Sequence, residues 1–150
     1  MASGFITLRN GLDWSHRWSG YDLVIEMIMD ELSANGDEGK LKVWLKTLTP
    51  TEEDIESGWC FIRNSDHEMV ARNLDTRFMK EEYLQIFWNA LKRVRDKTIG
   101  EIEGGHVGGF LINQLYRCYE SSLKDAYVNP DPFNPEKEEL SDRQIGPGWY

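Results

Sequence analysis

The sequence predicts an α+β fold: an antiparallel sheet of about four to five strands with about three helices packed on it. Two observations carry this. Strand-like segments cluster instead of alternating strictly with helices, which disfavours a parallel βαβ architecture. Three longer segments repeat apolar residues at helical spacing. The 150 residues, 40% hydrophobic and 12% aromatic, suit one domain with an ordinary core. The boundaries read as a globular domain over 1–128 and a Pro-rich acidic tail over 129–150.

The first strand is expected at Phe5–Arg9, with Phe5, Thr7 and Arg9 on one face and Ile6 and Leu8 on the other. Asn10-Gly11 is a strong turn signal, and Trp14–Trp18 follows as the second arm of a hairpin. Gly20 reads as a break. A helix is expected over Tyr21–Ala34 on the stripe Leu23, Val24, Met27, Ile28 and Leu32, stopped by Asn35-Gly36.

Leu41, Val43 and Leu45 alternate with Lys42, Trp44 and Lys46, the period of a half-buried strand ending at Pro50. Trp44 is then exposed between two lysines, unless helices cover the second sheet face. Thr51 is placed to cap a short helical turn through Glu52, Glu53 and Asp54. Further strands are expected at Gly58–Arg63 and around Glu68–Leu74, joined by a turn at Asn64-Ser65-Asp66.

The clearest helix is Lys80–Lys97. Tyr83, Ile86, Phe87, Ala90, Leu91 and Val94 form its stripe, with acids in its first turn and bases toward its end. Five glycines between Gly100 and Gly109 read as a flexible connection. A last helix runs from Val107–Phe110 to about Tyr127, with Leu111, Leu115, Cys118 and Ser122 on one face. Pro130, Pro132 and Pro135 exclude helix beyond it.

Familiar chemistry is not assembled by these segments. His16, His67 and His106 are scattered, with no close metal-ligand spacing. His16 and its neighbour Ser15 point to opposite strand faces, so they make no nucleophile–base pair. The stretch Gly104–Gly109 lacks the Lys-Ser/Thr of a phosphate loop and the preceding strand of a dinucleotide fold. Cys60 and Cys118 stand alone and are expected as reduced thiols. The sequence thus implies no metal and no cofactor. A small enzyme with a dispersed site drawing on the three histidines and nearby carboxylates stays open as an alternative.

Charge is more organised. The formal net charge is −9, which repels nucleic acid and anionic lipid and attracts basic proteins. Gly20–Gly39 holds six acids and no Lys or Arg, and Thr51–Ser57 holds four acids and no base. Acidic clusters of this kind steer a basic partner and raise its association rate. Asp22, Glu26, Asp30, Glu31, Glu52, Glu53, Asp54 and Glu56, with Trp44 as an aromatic anchor, are the expected contact residues. The alternative for each is ordinary solvated surface. No apolar run approaches the roughly 18 residues of a membrane span, and the opening Met1–Phe5 lacks a signal-peptide pattern. The expected location is the cytoplasm.

The stretch Gly4-Phe5-Ile6-Thr7-Leu8 with Trp14-Ser15-His16-Arg17-Trp18-Ser19-Gly20-Tyr21-Asp22 resembles the openings of small bacterial immunity proteins. These are the partners of polymorphic or contact-dependent growth-inhibition toxins. Phe87-Trp88-Asn89-Ala90-Leu91 adds to the likeness. The resemblance implies a cytoplasmic, non-enzymatic protein that binds a cognate toxin domain, often a nuclease, and blocks its active site. It transfers no binding residue. A nucleic-acid mimic of anti-defence type is a third reading, and it requires acids spaced like phosphates along one elongated face.

Overall fold

A computed structural model of the chain describes residues 3–46, 62–63, 69–70 and 73–129. The chain opens with β1 (Ser3–Thr7) and β2 (Asp13–Arg17), an antiparallel pair in which Ile6 faces Trp14. The turn falls at Asn10-Gly11 as expected. Gly11 adopts φ 81°, the left-handed region a side chain would resist. The Asn10 side-chain oxygen accepts from the Leu12 N–H at 3.1 Å. Ile6, Leu8 and Trp14 are buried.

Helix α1 (Trp18–Glu31) begins directly after β2, three residues earlier than the helix start expected at Tyr21. Gly20 lies inside the first turn because the space a Cβ would need is occupied by the His16 ring. It acts as a close-approach site, not as a helix breaker. Tyr21, Val24, Ile25 and Ile28 are fully buried and form the inward stripe. Trp18 is thus the first residue of a helix, and it does not share a strand face with Trp14.

The segment expected as a third strand is helix α2 (Gly36–Lys46). Over five residues, Leu41, Trp44 and Leu45 satisfy i, i+3, i+4 as well as Leu41, Val43 and Leu45 satisfy i, i+2, i+4. The flanks decide. Asp37 and Glu38 occupy the first turn and Lys46 the last, all favourable to the helix dipole. Trp44 is 3% exposed and Val43 69%, the reverse of the strand expectation. An exposed Trp44 anchor is therefore excluded.

β3 (Ile62–Arg63) and β4 (Met69–Val70) form a short antiparallel ladder. The turn expected at 64–66, the helical turn at 51–54 and Cys60 lie outside the described residues. β5 (Asn73–Asp75) joins the main sheet on the far side of β1, in parallel, so that Ile6 faces Leu74. The described main sheet is three-stranded, in the order β2-β1-β5, and mixed. Among the described residues, an antiparallel sheet of four to five strands is not seen. β1 already pairs with β2 on one edge. Its other edge is filled by a strand that returns after α1 and α2, and such a crossover is parallel.

A 3-10 turn (Thr76–Phe78) leads to α3 (Glu81–Thr98), close to the expected Lys80–Lys97. A second 3-10 helix (Ile99–Gly104) and a left-handed Gly105 then turn the chain into α4 (Val107–Ser122). The glycine-rich stretch is thus a hydrogen-bonded corner. α1 touches every other described α-helix as well as β1 and β2. The described residues hold four α-helices and are mostly helical, an α+β arrangement with a small sheet. None of these helices is long and apolar enough to cross a membrane.

α4 ends at Ser122, short of the expected Tyr127, and the hairpin turn meets the carbonyl of that last residue. Arg9 Nη1 donates to the Ser122 carbonyl at 3.2 Å and to that of Asp125. Asn10 Nδ2 donates to the Asp125 carboxylate at 2.8 Å. The Val128 N–H donates to the Arg9 carbonyl at 2.8 Å, and the Val128 carbonyl accepts from Arg77 Nη1 at 3.1 Å. Residues 123–128 thus form a strap across the hairpin end. The acidic tail expected over 129–150 lies outside the described residues beyond Asn129.

Beneath the strap, Asp75 and Arg77 form a bidentate pair at 2.9 and 2.7 Å, both side chains 5% exposed. The carboxylate raises the Arg77 pKa by hydrogen bonding, and burial opposes it. Asp75→Asn is expected to cost about 3 kcal/mol, because it strands a buried guanidinium. The double change Asp75→Asn with Arg77→Met is expected to cost less than the single one. Urea unfolding of both variants is the check. Trp44→Ala is expected to cost about 3–5 kcal/mol in the same assay, as a core residue. A surface residue would cost within about 0.5 kcal/mol.

Candidate functional site

α1 presents two faces. Opposite its buried stripe, Asp22, Glu26 and Asp30 follow one another at intervals of four. This spacing stacks them on one outward side, each about 6 Å from the next along the axis. Glu26 and Asp30 are exposed and Asp22 is half-buried. Among the described residues neither Glu26 nor Asp30 lies within ion-pair distance of a base. The helix contains no Lys or Arg. Like charges at i, i+4 each cost a helix about 0.2–0.5 kcal/mol, and Asp30 sits in the last turn, where the dipole disfavours an acid.

Glu31 points elsewhere. Its side chain is 14% exposed and accepts from Arg93 Nε at 3.0 Å and Lys97 Nζ at 2.6 Å. Arg93 Nη2 also reaches Glu38 at 3.4 Å, so this network knits α1, α2 and α3 together. The Lys97 hydrogen bond lowers the Glu31 pKa, with burial opposing it and Arg93 adding to it. Glu31 is an internal strut, which the run Asp30-Glu31 in the sequence does not reveal. Of the expected contact residues, then, Asp22, Glu26 and Asp30 share a surface, while Glu31 and Trp44 are turned inward. Glu52, Glu53, Asp54 and Glu56 lie outside the described residues.

The two described histidines do not converge. His106 caps α4, its Nδ1 accepting from the Gly109 N–H at 2.7 Å, and its Nε2 lies 3.6 Å from Glu101. The helix N-terminus that could have held an anion is therefore filled by the chain's own side chain. His16 stacks on Trp14 with ring centroids 6.3 Å apart and packs against Gly20. His106 lies instead near Met27, roughly 10 Å further along α1. His67 lies outside the described residues. Among the described residues no group of three or more His, Cys, Asp or Glu side chains could hold a metal ion. Cys118 is half-buried on α4, and burial pushes its thiol pKa up, away from reactivity.

A cleft of about 450 Å³ opens between the first half of α3, the end of α4, the strap and the hairpin turn. Its walls include Met79, Leu84, Gln85, Trp88, Tyr119, Leu123 and Tyr127, with Arg9, Arg77 and Glu81 among the charged groups. Trp88 and Tyr119 stack at 4.3 Å with 20° between their planes, joining α3 to α4. Burial pushes the Tyr119 phenol pKa up, so it stays a neutral hydroxyl at physiological pH. Gln85 Nε2 holds Glu81 at 2.9 Å. Sequence reasoning missed this site. Trp88 and Tyr119 carry the only local hint, aromatics on helix flanks, and nothing in the sequence connects them to Arg9.

No protein-family model, no curated protein and no solved structure matches the chain.

The network around Glu31 generates a pH expectation. Its folded-state pKa is depressed, so its stabilisation is present above the ordinary glutamate range. It is lost as pH falls through the lowered folded value. Glu31→Gln should remove up to about 1 kcal/mol at neutral pH, given the exposure of Lys97. Wild type and variant should converge under acid, and chemical unfolding at both pH values reads this.

Proposed function

We propose that the chain is a binding protein of immunity or inhibitor type, which neutralises a more basic protein partner through the outward face of α1. The single observation behind this reading is the ridge Asp22–Glu26–Asp30. It opposes the helix that carries it, by like-charge spacing and by the position of Asp30, and the described structure offers Glu26 and Asp30 no basic partner. The cost is small, and for Glu26 and Asp30 no base among the described residues offsets it, which suits a docking surface. The ridge measures about 12 Å from Asp22 to Asp30 along the axis. A compact patch of that size suits a protein surface better than the elongated track of a nucleic-acid mimic. The separation of His16 from His106, and the commitment of His106 to a helix cap, weigh against a dispersed histidine site.

On this reading the partner is a cytoplasmic toxin domain, and a nuclease fits best, because the ridge can stand in for phosphates at a basic active site. Glu52, Glu53, Asp54 and Glu56 remain candidate members of the same surface. Trp44 and Glu31 do not.

The test is co-expression and pull-down with the product of the adjacent gene, scored for complex formation and rescue of growth. Asp22→Asn, Glu26→Gln and Asp30→Asn together should slow association at least tenfold at low salt and flatten its salt dependence. Thermal stability of the double variant Glu26→Gln with Asp30→Asn should stay level or rise slightly, since like-charge repulsion is removed. A partner that binds the triple variant as it binds the wild type overturns the ridge. Absence of binding and rescue overturns the function.

A further inference from the structure

The cleft over Trp88 and Tyr119 contains no residue of α1 and plays no part in the proposed docking face. Its volume of about 450 Å³ falls in the range of small-molecule sites. Its chemistry is divided by position. Met79, Leu84, Trp88 and Leu123 supply apolar wall, and Leu123 is 53% exposed toward solvent. Arg9 supplies charge at one side. Its Nη1 is spent on the carbonyls of Ser122 and Asp125, and among the described residues Nε and Nη2 carry no hydrogen bond. Arg77 is different: Asp75 holds its Nε and Nη2, which neutralises it and leaves Arg9 as the available cation. Glu81, exposed and tethered by Gln85, places one negative charge elsewhere on the lining.

These groups select a ligand. An apolar body is favoured by the wall, and a single carboxylate by the fork of donors on Arg9. A second negative charge is disfavoured by Glu81. We propose that this cleft binds a small apolar monocarboxylate, with its carboxylate on Arg9 and its body along Leu84, Trp88 and Leu123. The strap carries Leu123 and Tyr127 into the lining and holds the Arg9 backbone through Val128, so the site exists only when the chain end is docked on the hairpin.

Three probes with the same phenyl body and different heads decide this on the full chain: 3-phenylpropionate, L-phenylalanine and phenethylamine. The readout is the indole N–H resonance of Trp88, identified by its loss in Trp88→Phe. The expected result is a saturable shift with 3-phenylpropionate, a weaker one with L-phenylalanine and none with phenethylamine. Arg9→Gln should weaken 3-phenylpropionate at least tenfold, and Leu84→Trp, which fills the cleft, should abolish the shift. Val43→Ala, exposed on α2 and outside the lining, should leave affinity unchanged. The proposal is overturned by no saturable shift in the wild-type chain, by three probes that bind alike, or by undiminished binding to Arg9→Gln. If Arg9→Gln fails to fold, the head-group series and Leu84→Trp still decide. Because no α1 residue is involved, failure here leaves the proposed docking function untouched.

Discussion

The buried pair between Asp75 and Arg77 ties the two ends of this molecule together. Asp75 closes β5 against β1 and also accepts from the Arg77 backbone N–H at 3.0 Å, starting the 3-10 turn. Between the two charges, Thr76 donates its hydroxyl to the Thr7 carbonyl at 2.6 Å. Arg77 then reaches out to the Val128 carbonyl. A buried ion pair contributes little net stability over a well-packed apolar pair of the same size. What it supplies here is position. The sheet edge, the entry to α3 and the strap all meet at two side chains with one favourable geometry, and the cleft takes its shape from that junction.

The surface divides accordingly. On the side of α1, acids stand on successive turns, while Arg93 and Lys97 on α3 are paired with Glu31 and Glu38. Toward the strap, Arg9 borders an aromatic floor, with Arg77 neutralised by Asp75 and Glu81 elsewhere on the lining. A chain of net charge −9 thus keeps a cation beside an apolar recess.

Local patterns carried the sequence reading as far as they extend. The hairpin, α1, α3 and α4 were legible because Asn10-Gly11 and three long apolar periods leave little choice. α2 was not, because five alternating residues fit two periods, and only the burial of Trp44 separates them. β5 was read as part of a longer strand, and its parallel pairing depends on β1, some 70 residues away in the chain. The site followed the same rule. Asp22, Glu26 and Asp30 were legible as a face because helix geometry alone aligns them. The inward turn of Glu31 depends on Lys97, and the cleft depends on Arg9 meeting the end of α4, separated by 113 residues at Ser122. Neither has a local signature.

The strap also orders events in time. β1 is made before its partners in the chain, so its second edge stays open until Asn73–Asp75 have been made, and the Arg9 carbonyl waits for Val128. At ordinary rates of synthesis that interval is on the order of ten seconds. During it the hairpin and α1 can collapse together, while a bare strand edge faces outward and can pair with another nascent chain. The fold is therefore most exposed to misassembly while it is being made, and the pairing of β5 with β1 ends that exposure.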